Sequence, residues 1–301
     1  MRKIPLDSTI FGAYRFLFTN LVSIIGTMWL PVAVLLAILG ALVWTFVPHA
    51  WFCGDFSHAD IKQLILTLLP LFILCEFVLV VGIILTKAMI QVGILRHSTG
   101  LKTSTTLVYF SLGSRVWRMV VVQLFGGVVA AGLVLAIVLA FVFVHLLLGA
   151  IPNLPSYVVT LCNLALVLAA IAAFVYVMLR MFFFLPAVVV TDNKIGVARA
   201  WELGKGNVLR MIVVIIATYL PIHFAAGIVT YLTVILTVVT EALRQQPDSA
   251  DKAMAFLKSL WPVLPAIGII QLVALIAVTG VILGAMGLSY QAVTAPEETS
   301  A

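Results

Sequence analysis

The sequence predicts an all-helical membrane protein: a bundle of six transmembrane helices with amphipathic interfacial helices along its cytoplasmic side. Three observations carry this prediction. The 301 residues are 64% hydrophobic and 9% charged, with a mean hydropathy of +1.25, whereas a soluble domain has roughly a quarter charged residues. Six apolar runs are long enough to cross a hydrocarbon core of about 30 Å. Basic residues collect on one side of these runs.

The six predicted spans are joined by polar connections, and several exceed the roughly 20 residues that one crossing needs. Tilted or bent helices are therefore expected. Pro31, Pro70 and Pro221 fall inside spans and are the predicted bending points, because each removes a backbone hydrogen bond. The predicted spans are 21–47, 64–85, 119–148, 158–185, 208–239 and 263–288.

The distribution of Lys and Arg predicts the orientation. The N-terminal segment, the connections 91–117 and 192–207, and the C-terminus, together with the adjoining span ends, hold 13 of the 17 basic residues. The positive-inside rule therefore places both termini in the cytoplasm. Anionic headgroups of the cytoplasmic leaflet are the predicted partners. This rim accounts for the net charge of +6 without nucleic acid binding, and the sequence indicates no particular protein partner.

The chain repeats itself. RVWRMVVV begins at Arg115 and NVLRMIVV begins at Asn207, 92 residues later, and a weaker copy 95 residues earlier places Asn20 at the same position. We interpret the chain as one membrane domain of three parallel tandem units, each an interfacial helix followed by a transmembrane hairpin. The other explanation is that basic-to-apolar junctions look alike in any membrane protein. The predicted segments are units 7–100, 101–191 and 192–290, and a disordered tail, 291–301.

The clearest amphipathic segment is DNKIGVARAWELGKGN, residues 192–207. Asp192 or Asn193 is the predicted helix cap, Trp201 belongs to an apolar strip, and the glycines that follow end the helix. A helix of this kind lies in the headgroup plane; an ordinary solvated loop helix is the alternative. The N-terminal segment around Tyr14 has the same pattern.

The same region carries a resemblance, in the stretch MLRMFFFLPAVVVTDNKIGVARAWELGKGNVLRMI, 178–212. An arginine ends a span, a Leu-Pro-Ala step follows, and then come an aspartate, a glycine and an Ala-Trp-x-Leu-x-x-Gly run. With these residues the chain resembles a group of bacterial inner-membrane proteins. It is similar to the membrane domain that precedes the catalytic domain in some glycerophosphodiester phosphodiesterases, and to stand-alone YciC-like proteins. The matching residues are Arg180, Leu185, Pro186, Ala187, Asp192, Gly196, Ala200, Trp201, Leu203 and Gly206.

The specific part of this resemblance covers about 35 residues, and the rest of the chain matches as a six-span pattern. The resemblance implies the six-span fold and a bacterial inner membrane. It does not imply phosphodiesterase activity, because we expect no soluble catalytic domain to follow.

Three polar side chains fall near the middle of predicted spans: Glu76, His223 and Gln271. A charge at that depth costs about 2.5–3.5 kcal/mol. One hypothesis is a midplane site in which Glu76 carries a proton and pairs with His223, while Gln271 orients a ligand. The other is a set of interhelical hydrogen bonds, worth about 0.6 kcal/mol each, with Glu76 protonated. A misplaced span is the third explanation.

Residues at the cytoplasmic ends of the spans are predicted to contact lipid headgroups. Arg180 follows a long apolar run. It either anchors that span or holds a lipid phosphate together with a second arginine. The predicted headgroup contacts are Arg118, Arg180, Arg199, Trp201 and Arg210.

Motifs that carry chemistry are missing: the sequence has no HExxH, GxSxG, P-loop or CxxC. The first outer loop holds His49, Cys53, Asp55, His58 and Asp60, but their spacing matches no metal-ligand pattern, which favours a polar loop over a metal site. We therefore predict no enzyme activity, no cofactor and no metal. The favoured function is a membrane-organising or lipid-associated accessory protein, and the alternative is a proton-coupled transporter or channel subunit.

Overall fold

The computed structural model describes residues 2–46, 61–102, 107–151, 155–244 and 263–295. Within these ranges the regular secondary structure is helical, and six helices are long and apolar enough to cross a membrane. The predicted all-helical, six-span fold is confirmed. The helices are α1 (Leu6–Thr19), α2 (Leu21–Phe46), α3 (Ile61–Ser98), α4 (Ser114–Gly149), α5 (Ser156–Phe182), α6 (Leu185–Asp192), α7 (Val197–Leu203), α8 (Val208–Arg244) and α9 (Leu264–Thr294).

The six long helices form a ring. Each packs against the next in the order α2, α3, α4, α5, α8, α9, and α9 returns to contact α2 and α3. The short helix α6 follows α5 after a break at Phe183 and Phe184, and it contacts α3, α4, α5 and α9. Its residues 185–190 are all buried. Helix α6 therefore fills the interior of the ring at one end.

The bundle has two parts. We call the end that holds α1, α6, α7 and residues 86–118 the basic end. The apolar half comprises α4 beyond residue 123, α5 up to residue 178, α8 beyond residue 218 and α9 up to residue 275.

Two helices extend past the predicted spans at the basic end. Helix α3 continues to Ser98 where the prediction stops at residue 85, and α9 continues to Thr294, into the predicted tail. The additional helical turns at the end of α3 contain buried residues such as Ala88 and Leu95. Packing against neighbouring helices sustains these turns after the continuous hydropathy ends. Residues 296–301 lie outside the described residues.

The prolines do not end their helices: α2, α3 and α8 continue through Pro31, Pro70 and Pro221. Pro221 leaves the carbonyl of Ala217 without a donor in its own helix, because proline has no N–H. The hydroxyl of Tyr14 in α1 donates to that carbonyl at 2.8 Å. Burial raises the pKa of the Tyr14 hydroxyl, which favours the protonated form that can donate.

The segment 192–207 differs from its prediction at its start. Asp192 is the last residue of α6, and Asn193 follows in the left-handed conformation with φ 51°. Helix α7 begins later, at Val197, with Gly196 before it. The predicted cap at Asp192 or Asn193 is therefore wrong, because these residues end one short helix and do not begin the next. The predicted end is right: Gly204 is the C-cap of α7.

The two outer predicted units share local structure where a short helix meets a span. The side-chain amide of Asn20 donates to the carbonyl of Phe16, and that of Asn207 donates to the carbonyl of Leu203. In the middle unit the described stretch 107–113 is not helical, so the interfacial helix predicted there is absent from those residues. A bond to the carbonyl four residues earlier is a local feature that does not test the repeat, and the three-fold repeat stays a prediction.

Candidate functional site

Arg180 fixes the end of α5 to α7. Its Cζ atom lies 4.0 Å from the ring centroid of Trp201 and 5.6 Å from that of Tyr176. Its Nε donates to the Trp201 carbonyl at 3.3 Å, and Nη1 donates to the Tyr176 hydroxyl at 2.6 Å. Gly204 permits this approach, because a Cβ atom there would lie 2.8 Å from the Arg180 carbonyl oxygen. The cation therefore lies over the Trp201 ring and beside the Tyr176 ring, which meets Trp201 edge to face; such a cation–π contact is worth about 0.5–1 kcal/mol at exposed sites.

A second group of side chains joins α6, α7 and α9. Nη1 of Arg199 lies 2.8 Å from Oδ2 of Asp192, and the Tyr290 hydroxyl lies 3.3 Å from Oδ1 of the same carboxylate. The Thr191 hydroxyl donates to the Tyr290 hydroxyl at 3.1 Å. The side chain of Arg199 is 51% exposed, so solvent screens its ion pair and the pair adds little to stability.

The N-terminal segment is bound to the start of α8. The amide of Ile4 donates to Oδ1 of Asn207 at 3.0 Å, and Nδ2 of Asn207 lies 3.3 Å from the Arg2 carbonyl. Nη1 of Arg210 donates to the Ile4 carbonyl at 2.5 Å. Asn207 and Ile4 are both buried. These bonds satisfy buried backbone groups that would otherwise lose water without compensation.

The five predicted headgroup residues therefore all make contacts within the protein. Arg118 donates to the carbonyl of Asn193, beside the left-handed turn that ends α6. The guanidinium group of Arg180 lies over the ring of Trp201. Arg199 pairs with the carboxylate of Asp192, and Arg210 donates to the carbonyl of Ile4. The structure assigns these residues to the packing of the basic end, and their contact with lipid stays a prediction.

The three predicted midplane residues are exposed, and within the described ranges no hydrogen bond or ion pair joins them. His223 stacks on Tyr219, with ring centroids 3.9 Å apart. Nε2 of Gln271 lies 3.2 Å from Oγ1 of Thr230, which is two helical turns, about 10 Å, from His223 along α8. The structure thus pairs Gln271 with Thr230 and leaves Glu76 without a bonded partner among the described residues. The midplane site stays a prediction.

A cluster of groups that sequence reasoning did not select lies between α3 and α4. The Tyr109 hydroxyl is near the guanidinium groups of Arg96 and Arg115 and near the Ser111 hydroxyl, although no contact it makes has full hydrogen-bond geometry. Burial raises the pKa of Tyr109, and the Ser111 hydroxyl and the two cations oppose that shift. Little in the sequence indicated this cluster, because Arg96 and Arg115 are two of many basic residues near span ends and lie on opposite sides of a connection.

The apolar half carries open grooves. One of about 510 Å³ lies between α8 and α9 and includes Pro221, Ala225 and Val273. Another of about 480 Å³ lies along α8 and includes His223 and Tyr231. Both are lined almost wholly by apolar atoms, which suits acyl chains better than polar solutes.

Metal-ligating side chains form no cluster of three or more within the described ranges. The outer loop with His49, Cys53, Asp55, His58 and Asp60 lies outside the described residues, so its assignment as a polar loop stays a prediction.

The fold defines the class of this protein: a multi-pass, all-helical membrane protein. Comparison with known proteins finds no family model, curated protein or solved structure that matches the chain. The resemblance of residues 178–212 to bacterial inner-membrane proteins stays a prediction.

Proposed function

We propose that the protein is a lipid-associated accessory protein of a bacterial inner membrane, that both its termini are cytoplasmic, and that it organises membrane without a reaction of its own. One observation carries the proposal. The basic end is a bonded, packed assembly of four arginines with aromatic and amide partners, whereas the apolar half exposes large hydrophobic side chains. Partly exposed arginines at one end of an apolar bundle suit binding of an anionic leaflet.

Lipid-dependent stability tests this proposal. The purified protein is placed in nanodiscs of phosphatidylglycerol or of phosphatidylcholine, and its thermal unfolding midpoint is measured at low and high salt. We expect a higher midpoint in phosphatidylglycerol that falls toward the phosphatidylcholine value in 1 M salt, because that ionic strength shortens the Debye length to about 3 Å. Equal midpoints in the two lipids at low salt would contradict the proposal.

The orientation is tested by labelling. In a cysteine-free background, Lys194→Cys should react with an impermeant maleimide from the cytoplasmic side. Ile151→Cys, in the connection between α4 and α5, should react from the opposite side. Both residues are exposed in the structure. Labelling of the two positions from the same side would overturn the topology.

The second candidate function is a proton-coupled transporter or channel subunit. Its support is the titratable side chain of His223 on α8, and not the lining of the groove beside it, which is apolar. Proteoliposomes with an internal pH-sensitive dye would report proton flux. Flux that Glu76→Gln abolishes, while the protein stays folded, would support this candidate over the accessory role.

A further inference from the structure

Tyr109 anchors the cluster between α3 and α4. Its ring packs on Gly93 of α3, where a Cβ atom would lie 3.2 Å from Cε1 of the tyrosine. Arg96 lies one turn farther along α3, so it shares a face with Gly93. Arg115 lies in the first turn of α4. The fold thus brings one hydroxyl and two guanidinium groups together from three chain segments. We call these three residues the Tyr109 cleft.

Among the residues that the structure describes, the two guanidinium groups of the cleft have no anionic partner. Within the described ranges, Arg96 and Arg115 form no ion pair, and the Nε atom of each is buried without a hydrogen-bond acceptor. Arg118, one turn after Arg115, does have an acceptor in the carbonyl of Asn193. Both arginines are half-buried, and for each buried Nε–H the loss of water without an acceptor costs free energy. An anion that enters the cleft would remove this cost.

The chemistry of the cleft suits a phosphate. Guanidinium groups present planar pairs of N–H donors that match phosphate oxygens, and such charge-assisted bonds are among the stronger ones. A tyrosine hydroxyl is protonated at neutral pH, and burial raises the pKa of Tyr109 further, so this hydroxyl adds a neutral donor beside the cations. A group with several oxygens and at least one negative charge satisfies all three donors together.

The surroundings of the cleft favour a lipid over a free phosphate. Four large apolar side chains flank Tyr109 in the same segment and are exposed: Leu107, Val108, Phe110 and Leu112. Trp29 of α2 donates its indole N–H to the Leu107 carbonyl at 2.9 Å, and tryptophan is enriched at the level of the headgroups. Apolar side chains around a cationic cleft match the glycerol and acyl region that is attached to a headgroup phosphate.

We propose that Arg96, Tyr109 and Arg115 bind the phosphate of an anionic phospholipid headgroup. The proposal deepens the lipid association proposed above and rests on it. It places that association at the Tyr109 cleft. The four arginines that are bonded within the basic end do not belong to this cleft.

Lipid retention tests the site. The full-length protein, extracted from mixed phosphatidylglycerol and phosphatidylcholine bilayers, is examined by native mass spectrometry for bound lipid. We expect the wild type to retain phosphatidylglycerol and the double variant Arg96→Gln, Arg115→Gln to bind it at least about tenfold more weakly. The matched control is Lys194→Gln, Lys205→Gln, which removes the same charge from exposed positions at the same end and should keep wild-type retention.

Two further variants distinguish a loss of lipid binding from a loss of folding. Tyr109→Phe keeps the ring on Gly93 and removes only the hydroxyl, so it should lower retention about two- to fivefold with an unchanged unfolding midpoint. Arg96→Lys, Arg115→Lys keeps the charge without the planar donor pairs and should give intermediate retention.

The outcomes separate the proposals. If both double glutamine variants retain lipid as the wild type does, the cleft is not the site, while the proposed lipid association survives. If the wild type itself retains no anionic lipid, both proposals fail. A second experiment adds inorganic phosphate to the protein in bilayers of phosphatidylcholine alone. If phosphate raises the unfolding midpoint, if this rise depends on Arg96 and Arg115, and if the protein retains no phosphatidylglycerol, the cleft binds a free phosphate and the lipid proposal for the cleft is wrong.

Discussion

The basic end and the apolar half pack differently, and their glycines show it. At the basic end, a Cβ atom on Gly204 would lie 2.8 Å from a carbonyl oxygen of Arg180. In the apolar half, a Cβ atom on Gly127 or Gly227 would meet nothing within 4 Å. Helices in membranes associate through close backbone approach at small residues, and among the described glycines such an approach to another backbone occurs at Gly204 and Gly287, both at the basic end.

Polar contacts divide in the same way. At the basic end they join separate elements, as the Tyr14 and Asn207 bonds do. In the apolar half, apart from the exposed bond between Gln271 and Thr230, threonines such as Thr160 and Thr233 bond the carbonyl four residues earlier in their own helix. From this difference we infer that the basic end determines the arrangement of the helices, while the apolar half exposes large hydrophobic side chains. The following predictions test that division, beginning with the largest expected effect.

Asn207→Ala should destabilise the protein by about 3 kcal/mol. The substitution leaves the buried amide of Ile4 and the Arg2 and Leu203 carbonyls without their partner, and unsatisfied buried groups cost about 1–3 kcal/mol each. Denaturant unfolding in mixed micelles measures the change. The matched control, Asn163→Ala, lies in the apolar half without a hydrogen bond to its side-chain oxygen and should cost less than half as much. Equal costs would contradict the division.

Gly287→Ala should cost about 2 kcal/mol, because the new methyl group would lie 2.7 Å from Cβ of Ser98 and force α9 away from α3. Gly227→Ala adds the same methyl group in open space and should leave stability unchanged or raise it slightly. Thermal unfolding of the two variants in one detergent compares them. A loss at Gly227 as large as the loss at Gly287 would show that the apolar half is packed as closely as the basic end.

Tyr14→Phe should cost about 1–2 kcal/mol, because it removes the donor to the Ala217 carbonyl. Pro221→Ala restores a backbone N–H to that carbonyl. The loss on Tyr14→Phe should therefore shrink in the Pro221→Ala background. A double-mutant cycle of unfolding free energies measures this coupling. Strict additivity would show that the hydroxyl does not replace the bond that proline removes.

Tyr290→Phe should cost about 1 kcal/mol, because the Tyr290 hydroxyl bonds Thr191 and Asp192 at the basic end. Tyr231→Phe is the control, since Tyr231 is exposed in the apolar half, and its change should stay within about 0.5 kcal/mol. Chemical unfolding, monitored by circular dichroism, measures the free energy of unfolding of both variants. If the two variants lose the same stability, the Tyr290 network is not a source of stability.

Gln271→Leu should have the smallest effect, within about 0.6 kcal/mol, because it removes one exposed interhelical bond to Thr230. Unfolding in the same micelles gives the value. A loss of several kcal/mol would indicate that Gln271 belongs to a larger polar site in the apolar half, as the midplane hypothesis requires.

Much of the bundle follows from the sequence. Hydropathy predicted six spans near their observed positions, and the proline at residue 221 predicted a missing backbone bond. The start of α7 did not follow, because Asp192 and Asn193 suit the end of one helix as well as the start of another. The continuation of α3 to Ser98 was also missed, because tertiary packing, and not a continuous apolar run, sustains those turns.

The sequence by itself determined that hydrocarbon surrounds this chain and that cations gather at one end, because long apolar runs and their flanking charges have few other stable arrangements. Only the tertiary structure decided which arginines are paired. The acceptors of Arg118 and Arg210 are backbone carbonyls, which every residue carries, and Tyr290 reaches Asp192 from 98 residues away. Such pairings depend on where helices meet, and no local pattern encodes them.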